Sequence, residues 1–184
     1  MGAICDGRTV QINGVNSIVI RGKDNGRLSI VMDGQTFTDK ALAALDTGKL
    51  SEAERLFVQA LRADPDSENF GLLGECWYLQ GKNENALQAS SMALEINKGN
   101  AHAAAIQRLC MDALKYPKRN VTDTEPLLKV AIAPDSSEKP MTVAISLLAL
   151  GKSKEAKQSF TDLLNKNPGS FRASTFKSKC REEN

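Results

Sequence analysis

A set of small-residue markers recurs along this chain at an interval of about 34 residues, and that period limits the fold more than any other feature. Gly48 and Gly81 stand one interval apart, and each is followed five positions later by alanine, Ala53 and Ala86. Gly151 and Ala156 repeat the pair two intervals further on, which leaves room for two units. Pro65, Pro134 and Pro168 mark unit ends, and Lys98 stands where the remaining proline would fall. Four units follow, over 34–66, 67–100, 101–136 and 137–170. Cys76 and Cys110, again one interval apart, take equivalent places in two of them. Such a period is the mark of a stacked array, in which one supersecondary unit cannot bury its apolar face until a neighbour covers it.

Each unit reads as two amphipathic helices joined by a tight turn. The glycines of GKLSEAE and GKSKEAK stand where a first helix ends, because a left-handed residue just past a helix favours glycine. Ser51 and Ser153 are then expected to cap the next helix, with Ser51 and Glu54 forming a capping box. Ala53, Ala86 and Ala156 are small because paired helices approach closely there, and a larger side chain would overpack the crossing. Phe37, Phe57, Phe70, Trp77 and Phe160 supply the bulk between helices and units.

These markers resemble the tetratricopeptide repeat (TPR) family. The second unit carries the pattern most fully: Phe70, Leu73, Gly74 and Trp77, then Gly81, Ala86 and Ala93. The first has Phe37, Ala41, Gly48, Ala53, Phe57, Ala60 and Pro65; the fourth has Ala144, Gly151, Ala156, Phe160, Leu163 and Pro168. The third lacks the Gly and Ala markers and carries two extra residues within KYPKRNVTDTEP. The resemblance implies a mainly α fold, a right-handed TPR-like helical-repeat superhelix of about four helix pairs.

The ends have a different grammar. In residues 1–33, TVQIN, SIVIR and LSIVM are short β-branched runs separated by Gly/Asn/Asp clusters, with a good hairpin turn at Lys23-Asp24-Asn25-Gly26. They predict a small N-terminal antiparallel β meander with one apolar face, acting as a cap on the first repeat or as a docking or oligomerisation element. The GVNSIVIRG stretch resembles the strand segments that precede repeat arrays in some bacterial conflict and signalling proteins, which implies a bacterial source. Residues 171–184 predict a C-terminal capping helix with Phe171 and Phe176 inward. Its basic tail, with Lys166, Arg172, Lys177, Lys179 and Arg181 set against Glu182 and Glu183, is expected to face solvent.

The resemblance also implies that the first helices of the units line a concave groove. Co-chaperones of the family grip a C-terminal carboxylate there with Lys, Asn and Arg, and this chain has Thr38, Leu42, Leu72, His102 and Ile106 at those positions, so a carboxylate clamp is not expected. What remains is an apolar stripe of Leu42, Leu45, Tyr78, Leu79, Leu109, Met141, Ile145 and Leu148, with His102 among them. Glu68, Glu75, Asp112 and Glu138 form an acidic margin. Such a groove fits an apolar or amphipathic protein segment, with a basic flank on the ligand. The competing expectation is that these residues are core, or are covered by the N-terminal strands or by a second protomer in a homo-oligomer.

Composition excludes other classes. With 24 Lys+Arg and 22 Asp+Glu the net charge is +2, which argues against nucleic acid or an anionic membrane as partner. No apolar run approaches the roughly 20 residues of a membrane span, and no secretory signal is visible, so a cytoplasmic protein with reduced thiols is expected. Four separated cysteines and the lone His102 offer no zinc-ligand spacing, and no cofactor motif occurs. No nucleophile, base and orienting group come together in the sequence, so no enzymatic activity is expected. A non-catalytic interaction scaffold is the leading reading, and a self-assembling structural protein the alternative.

Overall fold

The computed structural model describes residues 9–12, 15–24, 27–32, 34–115 and 139–180, with side chains from residue 35 onward. Three strands, β1 (Thr9–Ile12), β2 (Val15–Asp24) and β3 (Arg27–Met32), pair antiparallel in the order β1-β2-β3. Val10 stands opposite Ile18, and Ile20 opposite Ile30, with register irregularities after each. The apolar face expected for this segment concerns side chains outside the described residues.

Eight helices follow among the described residues: α1 (Gly34–Asp46), α2 (Leu50–Ala63), α3 (Ser67–Leu79), α4 (Asn83–Ile96), α5 (Ala101–Ala113), α6 (Pro140–Ala149), α7 (Ser153–Lys166) and α8 (Phe171–Lys179). The second half of the third unit, with its two extra residues, lies outside the described residues.

One turn joins α1 to α2, α3 to α4 and α6 to α7. Gly48, Gly81 and Gly151 have φ of 76°, 77° and 78°, the left-handed region in which only glycine is unstrained. The amides of Lys49, Lys82 and Lys152 then reach back to the carbonyls of Ala44, Trp77 and Leu147, at 2.9–3.0 Å. This is the six-to-one bond of a Schellman motif, which satisfies an otherwise orphaned helix carbonyl. The third unit takes the same left-handed position without glycine: Lys115, one interval after Gly81, has φ of 56°. A lysine thus takes the left-handed position where the sequence pattern lapses.

The Schellman turn also corrects the expected caps. The next helix starts so soon that Lys49 and Lys152 occupy the N-cap positions, and neither makes a side-chain cap bond. Ser51 and Ser153 lie inside the first turn instead, and the Ala53 and Ala156 amides bond the Lys49 and Lys152 carbonyls at 2.9 Å. Side-chain caps begin α3, α5 and α8, where the chain enters without a left-handed glycine turn. Asp66 accepts from the Asn69 amide at 2.7 Å, Asn100 from the Ala103 amide at 2.9 Å, and Ser170 from the Ala173 amide at 3.3 Å.

Two apolar clusters run along the stack. One joins α1, α2 and α3 through Leu45, Phe57, Leu72 and Cys76; the other joins α3 to α8 through Ile106, Cys110, Ile145, Phe160 and Phe176. Ala53, Ala86 and Ala156 are fully buried, as close helix crossings require. A Cβ on Gly74 would stand 3.2 Å from the Ala86 carbonyl oxygen, so α3 and α4 approach nearly backbone to backbone there. Phe57 and Phe160 are fully buried, while Phe37, Phe70 and Trp77 are half-buried against the clusters. Cys76 and Cys110 are buried free thiols, and burial pushes them up to about 11 and about 12.

Candidate functional site

The chemistry of the concave side centres on α3. Nearly its whole circumference is covered, because α2, α4 and α5 pack on it and side chains of α8 reach its remaining face. Glu75 is consequently completely buried, which is rare for a carboxylate without a partner. Its partner comes from the far end of the chain. Arg172 Nε donates to Glu75 Oε1 and Nη2 to Oε2, both at 2.7 Å, the bidentate fork that matches guanidinium to carboxylate.

His102 Nε2 lies 3.0 Å from Glu75 Oε2, a polar contact without the alignment of a hydrogen bond. The other ring nitrogen, Nδ1, is 3.5 Å from the Thr142 hydroxyl. Arg172 Nη1 also approaches Asp46 Oδ1 of α1 at 3.7 Å, and the Ser170 hydroxyl donates to the same oxygen at 3.5 Å. Burial alone would raise the Glu75 carboxyl, but the Arg172 guanidinium and His102 outweigh it and hold it at about 2. Burial opposes the Arg172 charge too, and Glu75 and Asp46 more than restore it, pushing Arg172 above its ordinary value.

Beside this network the concave face opens into a cavity of ≈560 Å³. Leu42, Leu72, Met141 and Leu163 give it an apolar wall, and Asp46, Asn100, His102, Thr142 and Arg172 a polar one. Glu68 and Lys139, which form an ion pair, also line it.

Residues 38–101 match a tetratricopeptide repeat family model and residues 143–170 match a second, together half of the chain. The chain belongs to the tetratricopeptide repeat family. Among solved structures it is similar to the Arabidopsis OM64 TPR domain, with 14% identity, a TM-score of 0.44 and coverage of 80% of this chain and 93% of that one. It is also similar to the first TPR of Spaghetti (RPAP3) bound to an HSP90 peptide: 16% identity, TM-score 0.41, 80% and 90% coverage. A MamA chain (MSR-1) has 22% identity, TM-score 0.43 and 73% and 77% coverage. No curated protein matches.

Within this TPR array the expected groove residues separate into four groups. Leu42, Glu68, His102 and Met141 line the cavity. Leu45 and Ile145 are fully buried in the two clusters, and Leu109 is 9% exposed, so these three are core, not groove surface. Leu79 and Leu148 pack partly buried against the clusters, while Asp112 stands exposed, 4.0 Å from Arg108. The fourth group, Glu75 and Tyr78, lies beneath α8: the Tyr78 ring stacks on Phe176 at 5.9 Å, and Lys179 Nζ sits 4.8 Å above it.

Two expectations change with this arrangement. The acidic margin is largely neutralised within the chain, since Glu75 carries Arg172 and Glu68 carries Lys139; Glu138 lies outside the described residues. The tail is not uniformly solvated either, for Arg172 is 7% exposed and Phe176 fully buried. Phe171 is half-buried against Gly48. Reading Arg172 as one of a run of surface cations missed it. The available signal was its company: Arg172 and Phe176 are four apart and share a face of the helix expected to cap the array. Arg181, Glu182 and Glu183 lie outside the described residues.

Proposed function

We propose that this TPR protein is a non-catalytic interaction scaffold whose concave face receives a segment of a partner protein. The observation that carries the reading is the ≈560 Å³ cavity, within the usual size of a binding cleft and walled by apolar side chains with a few convergent polar groups. A rigid array presents such a face preorganised, which lowers the ordering cost of association. His102 has no catalytic part in this reading; its ring nitrogens lie 3.0 Å from Glu75 Oε2 and 3.5 Å from the Thr142 hydroxyl.

The division into a leader (1–33), four units (34–66, 67–100, 101–136, 137–170) and a capping tail (171–184) belongs to the same proposal. In it the N-terminal strands form a meander that docks the array or pairs with a second copy. No helix among the described residues is long and apolar enough to cross a membrane, and a cytoplasmic location is part of the reading.

Affinity capture from the source cell, with cross-linking to locate contacts, tests the proposal on wild type and a Leu42→Glu/Met141→Glu variant. Both side chains line the cavity and are only half-buried, so the substitutions spare the clusters' fully buried residues. Loss of a specific cross-linked partner is expected, and an unchanged partner set would defeat the groove. Light scattering of the full chain against one starting at Gly34 tests assembly through the strands; equal monomeric masses would remove it.

A further inference from the structure

The resident of the concave face is α8, and its contacts state what that face recognises. Four features set α8 apart from the paired helices of the array. It has nine residues, FRASTFKSK, well below the ~12–15 at which an isolated helix begins to hold. Ser174, Thr175 and Ser178 give it poor intrinsic helicity. It has no second helix behind it among the described residues. Its backbone packs on α7, and its hold on α3 is made by side chains: Arg172 on Glu75, Phe176 on the Tyr78 ring at 5.9 Å (with Phe160 of α7 at 5.9 Å on its other face), and Lys179 over the Tyr78 ring. The cavity reaches this contact from outside, since Arg172 is part of its wall.

An occupant that keeps Glu75 ionised must bring a cation. Glu75 is closed off from solvent, and its remaining neighbour, His102, is not aligned to hydrogen-bond it. A planar, always-charged guanidinium meets both carboxylate oxygens, which an ammonium cannot do in the same geometry. The Tyr78 ring beside it asks for an aromatic face.

We infer that the concave face is a docking site for a partner helix carrying arginine and, four residues later, an aromatic residue, and that α8 is the tethered occupant which such a helix displaces. The inference rests on the interaction-scaffold reading and deepens it. Tethering through the short Asn167–Ser170 connection gives α8 an effective concentration near the millimolar range, so a free helix of equal chemistry competes poorly until the latch weakens. A partner then gains affinity in proportion to the fraction of open molecules.

The probe is a fluorescent peptide of residues 170–179 of this chain, titrated into the full chain. Weak binding to wild type is expected. Binding should be at least tenfold tighter to a Phe176→Leu variant, which loosens α8 without emptying its site. The tighter binding should be lost when the peptide carries glutamine at its arginine or alanine at its second phenylalanine. Hydrogen exchange on wild type needs no variant: excess peptide should speed exchange of the 171–179 amides and leave those of α5 unchanged. Peptide binding indifferent to the arginine, or α8 amides that stay as protected as α5 under saturating peptide, overturns the inference. A concentration-dependent dimer with protected α8 amides also overturns it, because the occupant is then a second copy. If cross-linked partners depend on Leu42 and Met141 while the peptide fails, only the arginine–aromatic code falls; if neither depends on the groove, both readings fall.

Discussion

Replacing Arg172 by methionine leaves its side-chain bulk and removes the guanidinium that faces Glu75. The structure sets the size of the effect. Glu75 is fully buried and held at about 2 against an ordinary 4.5, and at about 1.4 kcal/mol per tenfold that gap is worth about 3 kcal/mol at neutral pH. Removing one member of a buried pair costs roughly 3–5 kcal/mol, because the other charge stays buried without compensation. His102 keeps its 3.0 Å contact and places the expectation at the lower end. Arg172→Met should therefore cost about 3 kcal/mol in urea unfolding at pH 7, or roughly 6–12 °C in Tm for a chain of this size.

The pH dependence has a definite sign. A carboxyl held below its unfolded value contributes stability that is complete above about pH 4.5 and is lost as pH falls toward about 2. Wild type should show this acid loss, and the variant should show less of it, so the two curves converge near pH 2. Glu75→Gln/Arg172→Met should recover more than half of the deficit, since a neutral pair has no stranded charge. A single-variant cost below about 1 kcal/mol, or simple additivity in the double variant, would refute the assignment of Glu75 and Arg172 as one coupled buried unit.

Gly48→Ala should destabilise more than Gly151→Ala by urea titration: a left-handed backbone costs either alanine about 1 kcal/mol, but only at Gly48 does the added Cβ meet another helix, 3.1 Å from the Phe171 ring. Lys115→Gly should stabilise by about 1 kcal/mol in the same assay, by releasing a side chain held at φ of 56°. Ser51→Ala should change stability by less than about 0.5 kcal/mol while Asp66→Ala costs about 1 kcal/mol, because only Asp66 caps a helix with its side chain. Cys76 and Cys110 should resist iodoacetamide at pH 8 until urea opens the array, as read by mass spectrometry, since burial holds both thiols protonated.

The repeat was legible because every unit meets the same local demand. A chain reversing between two helices needs a left-handed residue, and two helices in close contact need a small one; both requirements write glycine and alanine into the sequence at fixed intervals. Even where the pattern lapses, at Lys115, the backbone keeps its left-handed residue. The caps were read less well. Ser51 and Glu54 have the spacing of a capping box, but the Schellman turn delivers Lys49 to the N-cap first, and a compact backbone motif takes precedence over a side-chain one.

The sequence by itself therefore determined the family, the helix pairs and the turns between them, since these depend on residues within one unit of each other. Only the tertiary structure decided which side of the concave face is surface. Glu75 and Arg172 read separately as a groove acid and a solvated tail cation; they become a buried pair because the fold brings α8 against α3 and α1. The pair joins residues 97 apart in the chain, a contact that no single unit encodes.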